Sequence, residues 1–567
     1  MLRNGKWLLV LLVLVGAVAL FAACAAPTEK VAKPGEGSPL ALATKTPLPA
    51  DVKPISGGWL RIYHAADPYF WDPLAGTAAA HLEWNEVSHP LVQINYGPGY
   101  DPRNFDISKG GLAESWEISS DGLTYTFHIR KGVKWDDRPP LNGREVVATD
   151  VKWTYERHMA TPGAPRREWL SNAIKSIECP DKYTVVIQIK QPMADFLLLL
   201  AGWYCEILPR EVAELYGDFK KPEACMGFGA FRLKEFVPNV REVFEKNPNY
   251  YGAPVPYVDG RYSILIPDAS TSLAAFRAEK IDMRAVSRMD LPSVKQTNPN
   301  AYCYEEELAM SAYAMAFRTD KAPFNDANLR RAVSMAIDRK TIVDTFYYGY
   351  GTEQNGPLYV ESPWYLKDQG ECAKYYKYNP EEARRLVAEA GYPGGLSISF
   401  AVNAGGGEAY LGYCDYLVDA LGKVGIKATF KMYESAAYTS AVRSKREYDD
   451  MTLILIFSVT SWGPDIFLNQ IHGTGYASNI SLVSDPKLDE MMKAQSVEMD
   501  PVKRQVMLND IQRYCACQSY YVYWPIGLGV TCLQPWVRQY CSHVAIPLTG
   551  AMLRHVWLTE DAPGRKM

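Results

Sequence analysis

A chain of 567 residues exceeds what one hydrophobic core supports, so two or three packed units are expected. Hydrophobic residues at 48% and charged residues at 22% describe an ordinary folded protein and exclude wholesale disorder. A net charge of −4 removes the basic footprint that a nucleic-acid binder requires. The 37 Tyr and 14 Trp suit either a wet ligand groove or a β-rich core, because each pairs a large apolar face with a polar handle.

In chain order, Arg3 and Lys6 form a short positive start, and Trp7 to Phe21 is an uncharged Leu/Val run. Phe21-Ala22-Ala23-Cys24 closes it with small residues directly before a cysteine. The segment resembles a lipoprotein signal, with residues 1–23 removed and Cys24 lipidated; the alternative is an uncleaved anchor helix. Either places the rest of the chain outside the cytoplasm. Residues 24–56, rich in Pro, Ala, Thr, Lys and Gly, lack a helical or strand period and read as a flexible or semi-extended tether. Of the remaining cysteines, an even set in an oxidising compartment, Cys205 and Cys225 are a candidate local pair, with connectivity open. Cys515-Ala-Cys517 lacks zinc-site spacing.

The first half of the globular body reads as strands. Leu123, Tyr125, Phe127 and Ile129 alternate with polar residues after the Asp121-Gly122 turn. Tyr183, Val185, Ile187 and Ile189 repeat the pattern, and 228–236 with 241–246 forms an antiparallel pair across Pro238-Asn239. Helices dominate the second half. Leu329, Ala332, Val333, Ala336, Ile337 and Val343 or Phe346 form one stripe behind Asn325 or Asp326. Asn379-Pro380, Asp485-Pro486 and Asp500-Pro501 start further helices, the first stopping at Gly391. Met451 to Phe457 is a continuous apolar run suited to a strand covered on both faces.

Five segments carry a family resemblance. They are Leu112–Glu117 with Asp121–Trp135; Phe228–Lys234 with Asn247–Gly252; Leu329–Arg339; Tyr378–Pro393; and Tyr448–Met451 leading to Trp462-Gly463-Pro464-Asp465. In this order they resemble the family 5 extracellular solute-binding proteins, the oligopeptide, dipeptide and nickel-binding group. The resemblance implies a mixed α/β (α+β), two-lobed clamp whose first lobe is discontinuous: 57–88, 226–303 and 525–560. It places an inserted subdomain at 89–225 and a second lobe at 304–524, with closure trapping the ligand between lobes.

The same resemblance points to two ligand-facing loops. The first, after an early strand, carries Tyr69, Phe70 and Trp71, for which a turn with buried aromatics is the alternative role. The second follows the apolar strand at its C-terminal end, where α/β architectures place ligands, and carries Ser458, Thr460, Ser461, Trp462 and Asp465. Peptide-binding members hold the ligand's free amine with an Asp in this loop. Here Thr460 or Ser461 takes that place and the nearest acid is Asp465. Trp462 either stacks on a ligand or packs the cleft wall.

No HExxH, GxSxG, Walker loop or GxGxxG precedes a helix, and Gly405-Gly406-Gly407 lacks the Lys-Ser/Thr of a phosphate loop. The eight histidines show no i, i+4 pair, so neither cofactor nor metal is expected. The expectation is a non-enzymatic, monomeric binding protein for an oligopeptide or other small oligomeric ligand. Its partners are an ABC permease and ATPase and, through lipid, the membrane. An oligosaccharide binder, or a surface receptor or adhesive protein without a transport role, are the alternatives.

Overall fold

A computed structural model describes residues 53–566 apart from 69–70, 76–77, 102, 108–110, 203, 307–310, 361, 458–462 and 542–552. The chain opens with strand β1 (Trp59–His64) and the helix Ala78–Val87. An inserted stretch then folds on itself as β2 (Ala113–Ile118), β3 (Thr124–Ile129), β4 (Ile174–Asp181) and β5 (Thr184–Ile189), a sheet in the order β2-β3-β5-β4. Strict alternation buries Tyr125, Phe127 and Ile129 of β3 and Val185, Ile187 and Ile189 of β5 on one face, as their sequence period dictates.

After the insertion come β6 (Phe231–Val237), β7 (Arg241–Lys246) and β8 (Gly260–Leu265), then β9 (Met283–Val286) and β10 (Tyr302–Glu306). β1 pairs in parallel with β8, giving a sheet β1-β8-β7-β6. The turn between β6 and β7 contains Asn239 at φ 59°, a left-handed position that Asn tolerates. One continuous core joins this first lobe to the inserted subdomain, including Leu60, Trp84, Phe127, Ile187, Phe228 and Phe244.

The second lobe is built on β11 (Ser311–Phe317), β12 (Gly351–Thr352), β13 (Leu396–Asn403), β14 (Ile426–Tyr433), β15 (Met451–Phe457) and β16 (Tyr521–Tyr523). All but β12 form one sheet, β14-β13-β15-β11-β16. Its central strands are buried on both sides. Met315, Phe317, Met451 and Leu453 face one core, while Ala314, Ala316, Ile454 and Ile456 face the other. This explains the unbroken apolar run of β15. The chain then returns through β17 (Ile526–Gly527) and β18 (Gly529–Leu533), the latter sitting between β10 and β9 in the first lobe.

The helix starts read from sequence hold in detail. The side chains of Asn379, Asp485 and Asp500 accept from backbone N–H groups at Glu382, Lys487 and Val502, each ahead of a proline at the first helical position. Gly391 follows the first of these helices at φ 94°. One expectation is corrected. The apolar stripe from Leu329 to Phe346 is two helices, Ala327–Met335 and Arg339–Phe346. Asp338 caps the second through the N–H of Thr341 at 3.1 Å, and this competing hydrogen bond breaks the pattern.

The cysteine expectation is also corrected. Cys205 and Cys225 remain thiols, both buried, with the Cys205 sulfur donating to the Leu199 carbonyl at 3.2 Å. Disulfides instead join Cys303 to Cys532 and Cys372 to Cys517, across sequence separations of 229 and 145 residues.

Candidate functional site

Between the two lobes the chain crosses once outward, from β10 to β11, and once back, from β17, which pairs with β12 of the second lobe, to β18 of the first. Crossings of this kind are what a hinge is built from. The Cys303–Cys532 disulfide pins it on the first-lobe side, since the two cysteines are register partners on the paired strands β10 and β18. Close by, the Arg288 guanidinium lies 3.8 Å from the Tyr350 ring centroid and donates to Glu305 at 2.8 Å. Its Nε and second terminal nitrogen are buried without a hydrogen-bond partner.

Among the described residues, the inserted subdomain meets the second lobe through aromatic and polar contacts. Phe105 packs on Trp364 with ring centroids 4.8 Å apart, within an apolar group that includes Ile94, Tyr359 and Ile526. Trp169 stacks on Tyr476 at 5.9 Å. The polar contact is fully buried. Asp195 receives a charge-assisted hydrogen bond from Arg504 at 2.6 Å and another from the backbone N–H of Asp465 at 2.9 Å. Gln495 ties the cluster together, donating to the Asp465 carboxylate at 2.7 Å and accepting from Arg504 at 3.1 Å. Local sequence patterns could not reveal this network, because its members stand at 195, 465, 495 and 504.

Among the expected ligand-facing residues, Tyr69, Phe70, Ser458, Thr460, Ser461 and Trp462 lie outside the described residues, as does Cys24. The two that are described have protein partners. Trp71 is 3% exposed, packs edge-on against Phe236 at 5.1 Å, and its carbonyl accepts the Trp84 indole N–H. This burial fits the turn with buried aromatics given as its alternative role. Asp465 sits in the first turn of the helix Gly463–His472 and is 4% exposed, its carboxylate held by Asn469 and Gln495. There it braces the contact between subdomain and second lobe.

Burial, then the neighbouring Asp195 charge, pushes the Asp465 carboxyl up to about 7 against the pull of Arg504. The folded state therefore holds a proton that the unfolded chain releases near the usual carboxylate pKa. This group's contribution to stability is largest below that value and falls as pH rises towards about 7. Asp465→Asn is expected to flatten the decline between pH 4 and 7, by up to about 4 kcal/mol. Urea unfolding of both proteins across that range checks the slope.

Among the described residues no helix is long and apolar enough to cross a membrane. Residues 108–478 match the model for bacterial extracellular solute-binding proteins, family 5. The chain is 28% identical over 479 residues to heme-binding protein A of Haemophilus influenzae, covering 80% of this chain and 84% of that protein. It is 27% identical over 377 residues to the dipeptide-binding protein of Escherichia coli, covering 63% of this chain and 69% of that one. Its fold superposes with a TM-score of 0.74 on the ABC transporter-associated periplasmic binding protein DppA of Helicobacter pylori, solved with the peptide STSA. That match spans 89% of this chain and 98% of the other at 24% identity. The chain belongs to the bacterial extracellular solute-binding proteins of family 5, and is a binding protein that acts outside the cytoplasm, not an enzyme.

Proposed function

We propose that this protein is the receptor of an ABC importer, closing its lobes on oligopeptides and passing them to a membrane permease driven by its ATPase. The observation that carries the reading is the double crossing beside β10 and β18, together with contacts that join the subdomain to the second lobe. Such a geometry couples ligand capture to a change of shape that a permease can sense. The peptide assignment draws on the relatives: one is named for dipeptides and another was solved with a four-residue peptide.

In this reading the lobes are 57–88, 226–303 and 525–560 against 304–524, with 89–225 riding on the first, and the protein works as a monomer. Tyr69 and Phe70 on one side and Ser458, Thr460, Ser461 and Trp462 on the other contact the ligand. Arg288, with two unspent donors beside the hinge, is positioned to take a peptide carboxylate. Cys24 carries a diacylglycerol that tethers the body to the membrane. Cys24→Ser should then move the protein from the membrane pellet to the soluble fraction, and an unchanged distribution would remove the lipid anchor from the account.

The ligand is tested by thermal unfolding against di- to pentapeptides, cello- and xylo-oligosaccharides, haem, and nickel with histidine. A ligand at about 100 times its Kd adds roughly 2.7 kcal/mol to stability. A shift with peptides supports the proposal. A shift confined to sugars, haem or nickel–histidine overturns the peptide assignment while keeping the clamp.

A further inference from the structure

We infer that His64, Asp67 and Glu242 form a binding site for one divalent cation of the zinc or manganese type. His64 ends β1, Asp67 lies in the loop just beyond it, and Glu242 is the second residue of β7. Ser263 of β8 is the register partner of both Ile62 and Glu242, so the sheet itself brings the distant acid alongside the end of β1. One ligand atom from each of the three side chains lies within 4.8 Å of the other two.

The histidine is oriented as a ligand would be. Its Nδ1 is 2.8 Å from the Ser263 hydroxyl and its Nε2 is 2.9 Å from the Asp67 carboxylate. Without metal, Nε2 can donate to Asp67; in the tautomer whose Nδ1–H donates to Ser263, the Nε2 lone pair and the Asp67 carboxylate are free to share one cation. An outer hydrogen bond of this kind fixes the tautomer of metal-bound histidines. Metal–ligand bonds of about 2.1 Å to both atoms would subtend roughly 90°, an ordinary angle at such an ion.

Glu242 supplies the independent observation. Its side chain is 1% exposed, and both carboxylate oxygens lack a hydrogen-bond partner. The nearest guanidinium nitrogen, from Arg261, is 3.6 Å away, because Arg261 gives its closer contacts to Glu83 and Glu86. Three buried glutamates thus share one arginine, and an uncompensated buried carboxylate is costly. A divalent ion beside Glu242 compensates it. One imidazole with two carboxylates, completed by water, matches borderline metals better than calcium or copper. His64 and Asp67 are 15% and 17% exposed, which leaves an entry path. The ion would clip the loop after β1 to the β6–β7 turn, where the Asn239 N–H already donates to Asp67 at 2.6 Å.

The test is equilibrium dialysis of the EDTA-stripped full chain against zinc or manganese chloride, with metal counted by mass spectrometry. One equivalent per chain and a raised Tm are expected, and the cobalt-loaded protein should show no thiolate charge-transfer band. His64→Gln and Asp67→Asn, at partly exposed positions, should keep the wild-type circular dichroism and bind at least about 10-fold more weakly. Absence of stoichiometric metal from the wild type, undiminished binding by His64→Gln, or a thiolate band would each overturn the site. Glu242→Gln, where it folds, should behave as the other two.

Discussion

Replacing Arg504 by Met lowers the stability of the protein by about 3–5 kcal/mol, the cost of leaving a buried carboxylate without its cation. Arg504 is 2.6 Å from Asp195, whose side chain is wholly buried, and faces Asp465 across the same contact. Its removal leaves two acids beside each other where water does not reach. The cost comes from the orphaned charge, not from the lost attraction alone. The double variant Asp195→Asn with Arg504→Met should therefore recover part of the loss. Urea unfolding of the wild type, both single variants and the double closes the cycle. A change below about 1 kcal/mol in Arg504→Met would show that the cluster is solvated in the working protein.

Removing the Cys303–Cys532 disulfide, as Cys303→Ala with Cys532→Ala, costs about 2–5 kcal/mol. The bridge closes a loop of 229 residues that contains the whole second lobe, so its loss gives the unfolded chain a large freedom. The β10–β18 pairing that flanks it remains, which keeps the variant foldable. Denaturant unfolding with and without reductant is the measurement. Equal stability of oxidised wild type and variant, or two extra reactive thiols in the oxidised wild type, would contradict the bridge.

Much of the architecture was legible because it rests on local physics. The period-two strands β3 and β5, the Asx-Pro helix starts and the doubly buried β15 follow from side-chain spacing and capping alone. The break at Asp338 was missed because a capping side chain and an apolar stripe gave opposite signals over the same residues. The disulfides were missed for a different reason. Cys205 and Cys225 are near in sequence, whereas bridges form between thiols near in space, and β10 meets β18 only after the second lobe has been built. The cluster of Asp195, Asp465, Gln495 and Arg504 was illegible on the same grounds. Asp465 looked like a ligand group because it follows a strand end, and the structure shows its carboxylate already committed to Asn469 and Gln495.

Small-angle X-ray scattering of the wild-type chain, alone and with a saturating mixture of di- to pentapeptides, reads lobe closure on the ligand. A smaller radius of gyration with peptides is expected, as the subdomain and second lobe close about the hinge beside Cys303 and Cys532. Peptide binding with an unchanged radius would contradict the clamp, and no binding at all would contradict its ligand.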